Sequence, residues 1–218
     1  MTTTARYIHA FGPAALTRFY DTGVRLLIRE EAFRSRLLEH MDLAPGQRVL
    51  DVGCGTGTLA VLASQRHPGV EVHAADGDDE VLAIARDKAA RAGAAVRFER
   101  AMAWALPYPD GTFDRVVSSL VFHHLAPDDK RRAALEIFRV LRPGGALLLA
   151  DFGPPRGAAG RAVAWALSRL AHLRENLADL LPALLTGAGY ADVAEIDRVR
   201  TALMPIAMIR GRRPLAAP

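Results

Sequence analysis

The run Val49-Leu50-Asp51-Val52-Gly53-Cys54-Gly55-Thr56-Gly57 carries the most specific chemical signal in the chain. An apolar stretch ends in three glycines at alternating positions, and an acid stands two residues before the first of them. Glycines permit positive φ and leave no side chain between a loop and a ligand. A strand that turns through such a bend into a helix can therefore seat a nucleotide-like molecule against bare backbone. The spacing is G-x-G-x-G, not the G-x-G-x-x-G that sets a pyrophosphate on a helix N-terminus. Asp51 can pair with an ammonium group, which suits a ligand bearing an amino acid in place of a pyrophosphate. The plainer alternative is a tight turn with no ligand, but three glycines and an acid exceed what a turn requires.

Asp76-Gly77 closes the next apolar run, nineteen residues after Gly57. A carboxylate at the end of a second strand can accept hydrogen bonds from both ribose hydroxyls. Asp78, two residues on, is the better candidate for capping the following helix. Further along, Ser118-Ser119 follow another strand at the edge where such sheets bind ligands, and His123-His124 come just after. Two adjacent histidines without a third ligand make a poor zinc site. An imidazole can serve as a general base at neutral pH, and either ring can equally be structural. No metal-binding constellation is present, and the single cysteine, Cys54, excludes a disulfide framework.

The elements that must position these residues follow from the apolar pattern. Residues 14–40 read as helical, ending at Ala44-Pro45-Gly46. Arg48–Val52 reads as a buried strand and Leu59–Arg66 as a helix. Strand Val70–Ala75, a helix from Asp78 to about Ala92, and strands Ala95–Arg100 and Phe113–Ser118 come next. A helix over Asp128–Leu141, stopped by Arg142-Pro143-Gly144-Gly145, precedes a fifth strand at Ala146–Ala150. Alternating helices with apolar strands predict a parallel sheet covered on both faces. Beyond Asp151 a Pro/Gly/Ala-rich stretch leads into helical periodicity over Arg161–Leu185, interrupted near Pro182. Tyr190–Arg200 and Ala202–Arg210 suit a final antiparallel pair.

The 218 residues are half hydrophobic and about a quarter charged, as in one globular domain. The net charge of +4 is weaker than it looks as a pointer to nucleic acid. Only Lys88 and Lys130 are lysines, and the 26 arginines are scattered, with no basic stripe interleaved with aromatics. No nucleic-acid partner is expected. Met1–Ala10 lacks the apolar stretch of a signal peptide, and no apolar run is long enough to span a membrane, so a cytoplasmic location is expected.

VLDVGCGTG, an acid ending the second strand, ALPYPDGTFDRVVSSLVFHHL and FRVLRPGGALLLADF occur in an order that resembles the class I S-adenosylmethionine-dependent methyltransferases. The chain is most similar to the ubiquinone/menaquinone-biosynthesis type and related small-molecule enzymes. The likeness covers about residues 46–152, with a weaker echo at Gly189-Tyr190-Ala191-Asp192-Val193. It implies a Rossmann-like α/β fold, with a seven-stranded, mostly parallel sheet, the last strand antiparallel, and helices on both faces. The expected layout is one domain. Residues 1–40 form an N-terminal helical cover, 46–152 the cofactor core, 153–185 a variable substrate cover and 186–218 the closing strand pair.

The resemblance further implies S-adenosyl-L-methionine as cofactor, with S-adenosyl-L-homocysteine as product. Gly53, Gly55 and Gly57 would lie beneath its methionine and ribose parts, with the backbone of Cys54 and Thr56 lining the site. Asp51 would support the amino group, and Asp76 would take the ribose hydroxyls beside Gly77. Family members usually carry an acid for the adenine amino group where this chain has Met102, and a thioether is a weak acceptor. Adenine would then rest on the Ala103 backbone, Trp104 and the Met102 sulfur, although Trp104 can instead simply plug the core. Tyr20 would close the methionine end. Trp165 and His172 fall in the substrate cover, which has no decodable motif.

The expected reaction is in-line methyl transfer to an O, N or C nucleophile of a small molecule, with His123 or His124 as base where one is needed. One alternative is a lipid-like acceptor, a quinone or phospholipid headgroup, met at a membrane surface by the arginine-rich N-terminal helix. Others are a silent cofactor- or partner-binding protein and a non-methylating use of the same cofactor.

Overall fold

The computed structural model describes residues 30–154, 180–201 and 204–215. The strands and helices alternate as α1 (Glu30–Met41), β1 (Arg48–Val52), α2 (Thr58–Arg66), β2 (Glu71–Asp76), α3 (Asp79–Arg91), β3 (Val96–Arg100) and β4 (Phe113–Ser119). A 3-10 turn at Phe122–His124 leads to α4 (Pro127–Val140), β5 (Leu141–Phe152), α5 (Leu181–Gly187), β6 (Ala191–Val199) and β7 (Ile206–Arg212). The seven strands form one sheet in the order β3-β2-β1-β4-β5-β7-β6. Strands β1 to β5 pair in parallel, whereas β7 runs antiparallel to both β5 and β6. This is the Rossmann-like sheet expected from the sequence, with its last strand reversed.

Central strands read as nearly continuous apolar runs because both faces are covered. In β1 every residue after Arg48 is buried. One face packs Leu50, Val52, Val116, Leu147 and Leu149 against Ala133, Ala134 and Ile137 of α4 and Leu181 and Leu185 of α5. The other packs Val49, Val117, Leu148 and Met208 beneath Phe33 and Leu37 of α1 and Leu59 and Ala60 of α2. Trimming a fully buried leucine such as Leu50 to alanine costs about 2–5 kcal/mol.

The last strand runs Ile206–Arg212, later than the expected Ala202–Arg210, because Arg212 pairs with Ala146 of β5. Two other boundaries also differ from the sequence reading. The RPGG segment does not close a turn before a strand at Ala146; β5 already begins at Leu141. Leu141 pairs with Phe113, and Gly144 and Gly145 exchange backbone hydrogen bonds with Arg213. Pairing with neighbouring chain on both sides outweighs the local turn preference. Pro182 does not interrupt a helix but sits in the first turn of α5, where its missing N–H costs nothing. Helix α3 begins as expected, with the Asp78 carboxylate accepting from the Glu80 N–H at 2.8 Å.

Tyr20 and the rest of residues 1–29 lie outside the described residues, as do Trp165, His172 and most of 153–185. Of the two expected covers, only Glu30–His40 of the first and the ends of the second, including Leu181–Leu185, fall within the described residues. No helix among the described residues is long and apolar enough to cross a membrane.

Candidate functional site

The glycine bend leaves β1 at Val52 and turns straight into α2. Gly53 and Cys54 both donate their N–H to the Ala75 carbonyl, at 2.8 and 3.0 Å, which stitches the bend to the end of β2. Gly55 donates to Asp76 Oδ2 at 2.8 Å, and the other carboxylate oxygen of Asp76 accepts from the Asp78 N–H at 3.0 Å. Loop and acid are thus one hydrogen-bonded unit. Burial, partly opposed by these backbone donors, holds the Asp76 carboxyl above the usual carboxylate range.

The glycines differ in what surrounds them. A methyl group added to Gly57 would lie 2.8 Å from the Ala85 Cβ, and at Gly53 it would collide with Val121, so both face packed protein. At Gly55 (φ +52°) no described residue stands within 4 Å of the added carbon. Among the described residues, bare backbone here is left uncovered beside a carboxylate, as a nucleoside seat requires.

Asp51 is buried, and burial followed by the nearby Asp76 charge pushes its carboxyl up to about 7, against the pull of Arg34. A buried carboxyl so placed gains from an incoming cation. Cys54 is also buried, and burial and the neighbouring acids drive its thiol far up, so it stays protonated and inert. Thr56 contributes more than backbone: its hydroxyl accepts from Lys88 Nζ at 3.0 Å, and that ammonium also reaches Thr58 Oγ1 at 2.7 Å. Lys88 was not legible as a site residue, because its partners lie thirty or more positions away.

Ala101 donates to the Asp76 carbonyl at 2.9 Å, which places the Met102–Ala105 turn beside the acid and next to Gly77. Met102, Ala103 and Trp104 are half-buried there. Trp104 does not plug the core; the Arg132 guanidinium lies over its ring, 5.7 Å from the centroid. Ser118 is fully buried and its hydroxyl donates to the Val52 carbonyl at 3.0 Å, tying β1 to β4. Ser119, beside it, is half-buried. Leu120 then adopts a positive φ of 59° as the chain leaves the sheet.

The two histidines part company. His124 is exposed, whereas His123 is held. His123 Nδ1 lies 2.8 Å from Asp151 Oδ1, and the His123 N–H donates to Asp151 Oδ2 at 3.1 Å. Phe152 donates its N–H to Asp151 as well, and its ring packs 4.7 Å from the imidazole, centroid to centroid. Burial alone would raise the Asp151 carboxyl, but His123 and the two backbone donors win and hold it below the usual range. An ionised Asp151 makes Nδ1 the protonated nitrogen of a neutral His123 and leaves Nε2 as the acceptor. Asp151 was missed in the sequence; its only signal is an acid ending an apolar strand. Among the described residues no cluster of three or more metal-ligating side chains occurs.

Comparison with known proteins bears on this edge. Residues 49–145 match the family model described as a methyltransferase domain. The chain is 47% identical to the demethylmenaquinone methyltransferase of Thermus thermophilus over 146 residues, 66% of this chain and 63% of that one. It is 42% identical to the demethylmenaquinone methyltransferase of Deinococcus radiodurans over 109 residues, 50% of this chain and 44% of that one. The matched stretch thus spans less than two thirds of either relative. Among solved structures, the [4+2]-cyclase SpnF superposes with a TM-score of 0.71 at 24% identity, over 85% of this chain and 81% of its own, a likeness of fold.

Proposed function

We propose, from the match of residues 49–145 to a methyltransferase-domain model and the 47% identity to a demethylmenaquinone methyltransferase, that this protein uses S-adenosylmethionine in the manner of the class I enzymes to transfer a methyl group to a small-molecule nucleophile. S-adenosylhomocysteine is the co-product. The observation that carries the reading is the joined loop and acid, in which bare backbone at Gly55 is uncovered by any described residue beside the Asp76 carboxylate.

The residues present fit the cofactor. Asp76 keeps lone pairs for the ribose hydroxyls, and Asp51 offers a buried carboxyl to the ammonium group. Gly53, Cys54, Gly55, Thr56, Gly57 and Gly77 supply backbone, Ser118 and Ser119 hold the strand end behind it, and Met102, Ala103 and Trp104 offer an apolar rest for adenine. Tyr20 would close the methionine end, as the sequence resemblance implies. Bound there, the cofactor supplies a methyl group on a positively charged sulfur, an activated electrophile.

The protein's own contribution is alignment. Holding the reacting atoms in line contributes about 7–11 kcal/mol, by the effective-molarity argument. Where the nucleophile carries a proton, His123 removes it at Nε2, with Asp151 fixing the ring and stabilising the imidazolium that forms.

Among the acceptors left open by the sequence, the name of the relative at 47% identity favours a quinol ring of the demethylmenaquinone type. The test is formation of S-adenosylhomocysteine with a demethylmenaquinol analogue and a panel of phenols and amines. Turnover of the quinol supports the full reading. Binding without turnover across the panel points to a silent binding protein, and product without cofactor consumption to a non-methylating use. Absence of both calorimetric heat and thermal protection with S-adenosylmethionine and S-adenosylhomocysteine would overturn it.

A further inference from the structure

The opposite edge of the sheet holds an arrangement that methyl transfer does not use. Arg115 of β4, Ala146 of β5 and Arg212 of β7 stand in one row across three strands, each paired with the next. Directly paired residues share a face, and strands lie about 4.8 Å apart, so two guanidinium groups flank a floor made only of an alanine methyl. Arg210 sits two residues along β7 on the same face, opposite Leu148. The C-terminal end of α1, at His40 and Met41, and Asp42 just beyond it form the wall of the groove these residues line.

These arginines differ from most of the others. Arg36, Arg48, Arg97, Arg100, Arg132, Arg139, Arg142 and Arg198 each bridge a carboxylate. Among the described residues no carboxylate bridges Arg115, Arg210 or Arg212, and Arg210 Nε is buried without a hydrogen-bond partner.. Arg115 donates to the Met41 carbonyl at 2.9 Å and to its neighbour Asp114's carbonyl at 3.1 Å, which fixes its plane without neutralising it. The local acids are largely committed. Asp114 is held by Arg142 and the Arg48 N–H, and Asp197 by Arg36 and His40, which leaves Asp42 at the rim.

We propose that this groove is a binding site for a phosphate-bearing anion, separate from the cofactor edge. A guanidinium presents paired N–H donors that match phosphate oxygens, and a buried donor without a partner is costly until one arrives. Burial, together with the charges of Arg212 and Arg142, pulls the Arg115 guanidinium below its ordinary range, against Asp42 and Asp114, and a bound anion relieves that crowding. The same chemistry is offered by free phosphate esters and by the headgroups of anionic lipids.

The experiment compares the wild-type protein with Arg210→Gln, Arg212→Gln and the double variant in two arms. Calorimetry with inorganic phosphate and pyrophosphate, matched in ionic strength with chloride, reads a soluble anion. Co-sedimentation with phosphatidylcholine vesicles, with and without phosphatidic acid, reads a headgroup. Saturable binding in either arm that weakens by about tenfold or more in the double variant supports the site, and the arm in which it occurs identifies the source. S-adenosylhomocysteine affinity serves as the folding control and stays unchanged in the variants. Binding no stronger than the chloride control in both arms, or equal binding by wild type and double variant, overturns the proposal.

Discussion

The Gly55 N–H points at the carboxylate of Asp76 across 2.8 Å, and this single bond couples the bend after β1 to the acid that ends β2. Asp76→Asn keeps an acceptor for that N–H but removes the charge offered to the ribose. Hydrogen bonds to charged groups are worth about 1.5–3 kcal/mol. The expected outcome is a roughly tenfold to hundredfold loss of S-adenosylhomocysteine affinity by calorimetry, with the circular dichroism of the wild type.

Gly55→Ala and Gly57→Ala separate a ligand effect from a packing effect. Both place a side chain at positive φ, at a cost of about 1–2 kcal/mol. Only at Gly57 does the new carbon meet packed protein, at Ala85 and Phe98. Gly57→Ala therefore lowers the melting temperature more. Gly55→Ala melts closer to wild type yet loses cofactor binding, because its methyl enters the open space over the bend.

Asp51 makes stability and binding depend on pH. Its carboxyl is raised to about 7 in the folded chain, against about 3.9 when unfolded. The folded state then binds more protons than the unfolded one between about pH 4 and pH 7, so this group's contribution falls as pH rises through that window. Asp51→Asn should match wild type near pH 4 and exceed it in stability above pH 7, in urea melts. An ammonium ligand prefers the ionised form, so wild-type affinity for S-adenosylhomocysteine should rise from pH 6 to pH 8, and that rise should flatten in the variant.

His123→Gln should lower kcat by about a hundredfold or more if the acceptor must lose a proton. Asp151→Asn removes the charge that sets the ring's tautomer while leaving the shape of the site. It should lower kcat substantially, with the S-adenosylhomocysteine dissociation constant unchanged. A parallel loss of cofactor binding would mark a purely structural role.

Met102→Asp introduces a strong acceptor beside the proposed adenine rest. The expected gain is about 1 kcal/mol in S-adenosylhomocysteine affinity, read by calorimetry. The gain should vanish with an analogue whose adenine amino group is replaced by hydrogen.

What could be read in advance was local. The glycine bend, the acid at β2 and the Asp78 cap depend on residues a few positions apart, and all three sit where the sequence put them. The partners of His123, Thr56 and Arg115 were not legible, because Asp151, Lys88 and Met41 reach them only after the sheet has assembled. The early start of β5 escaped for a related reason: Pro143 and the two glycines after it signal a turn, and only the pairing with Phe113 and Arg213 overrides them. Ser118 was a fair candidate by position, yet its hydroxyl is committed to the Val52 carbonyl.

The Ala75 carbonyl receives two N–H groups from the bend at once. Lifting the bend away would strand both donors, so the proposed seat is built before any nucleoside arrives. On that reading, a new acceptor would be accommodated by rebuilding the surrounding walls, with the bend left as it is.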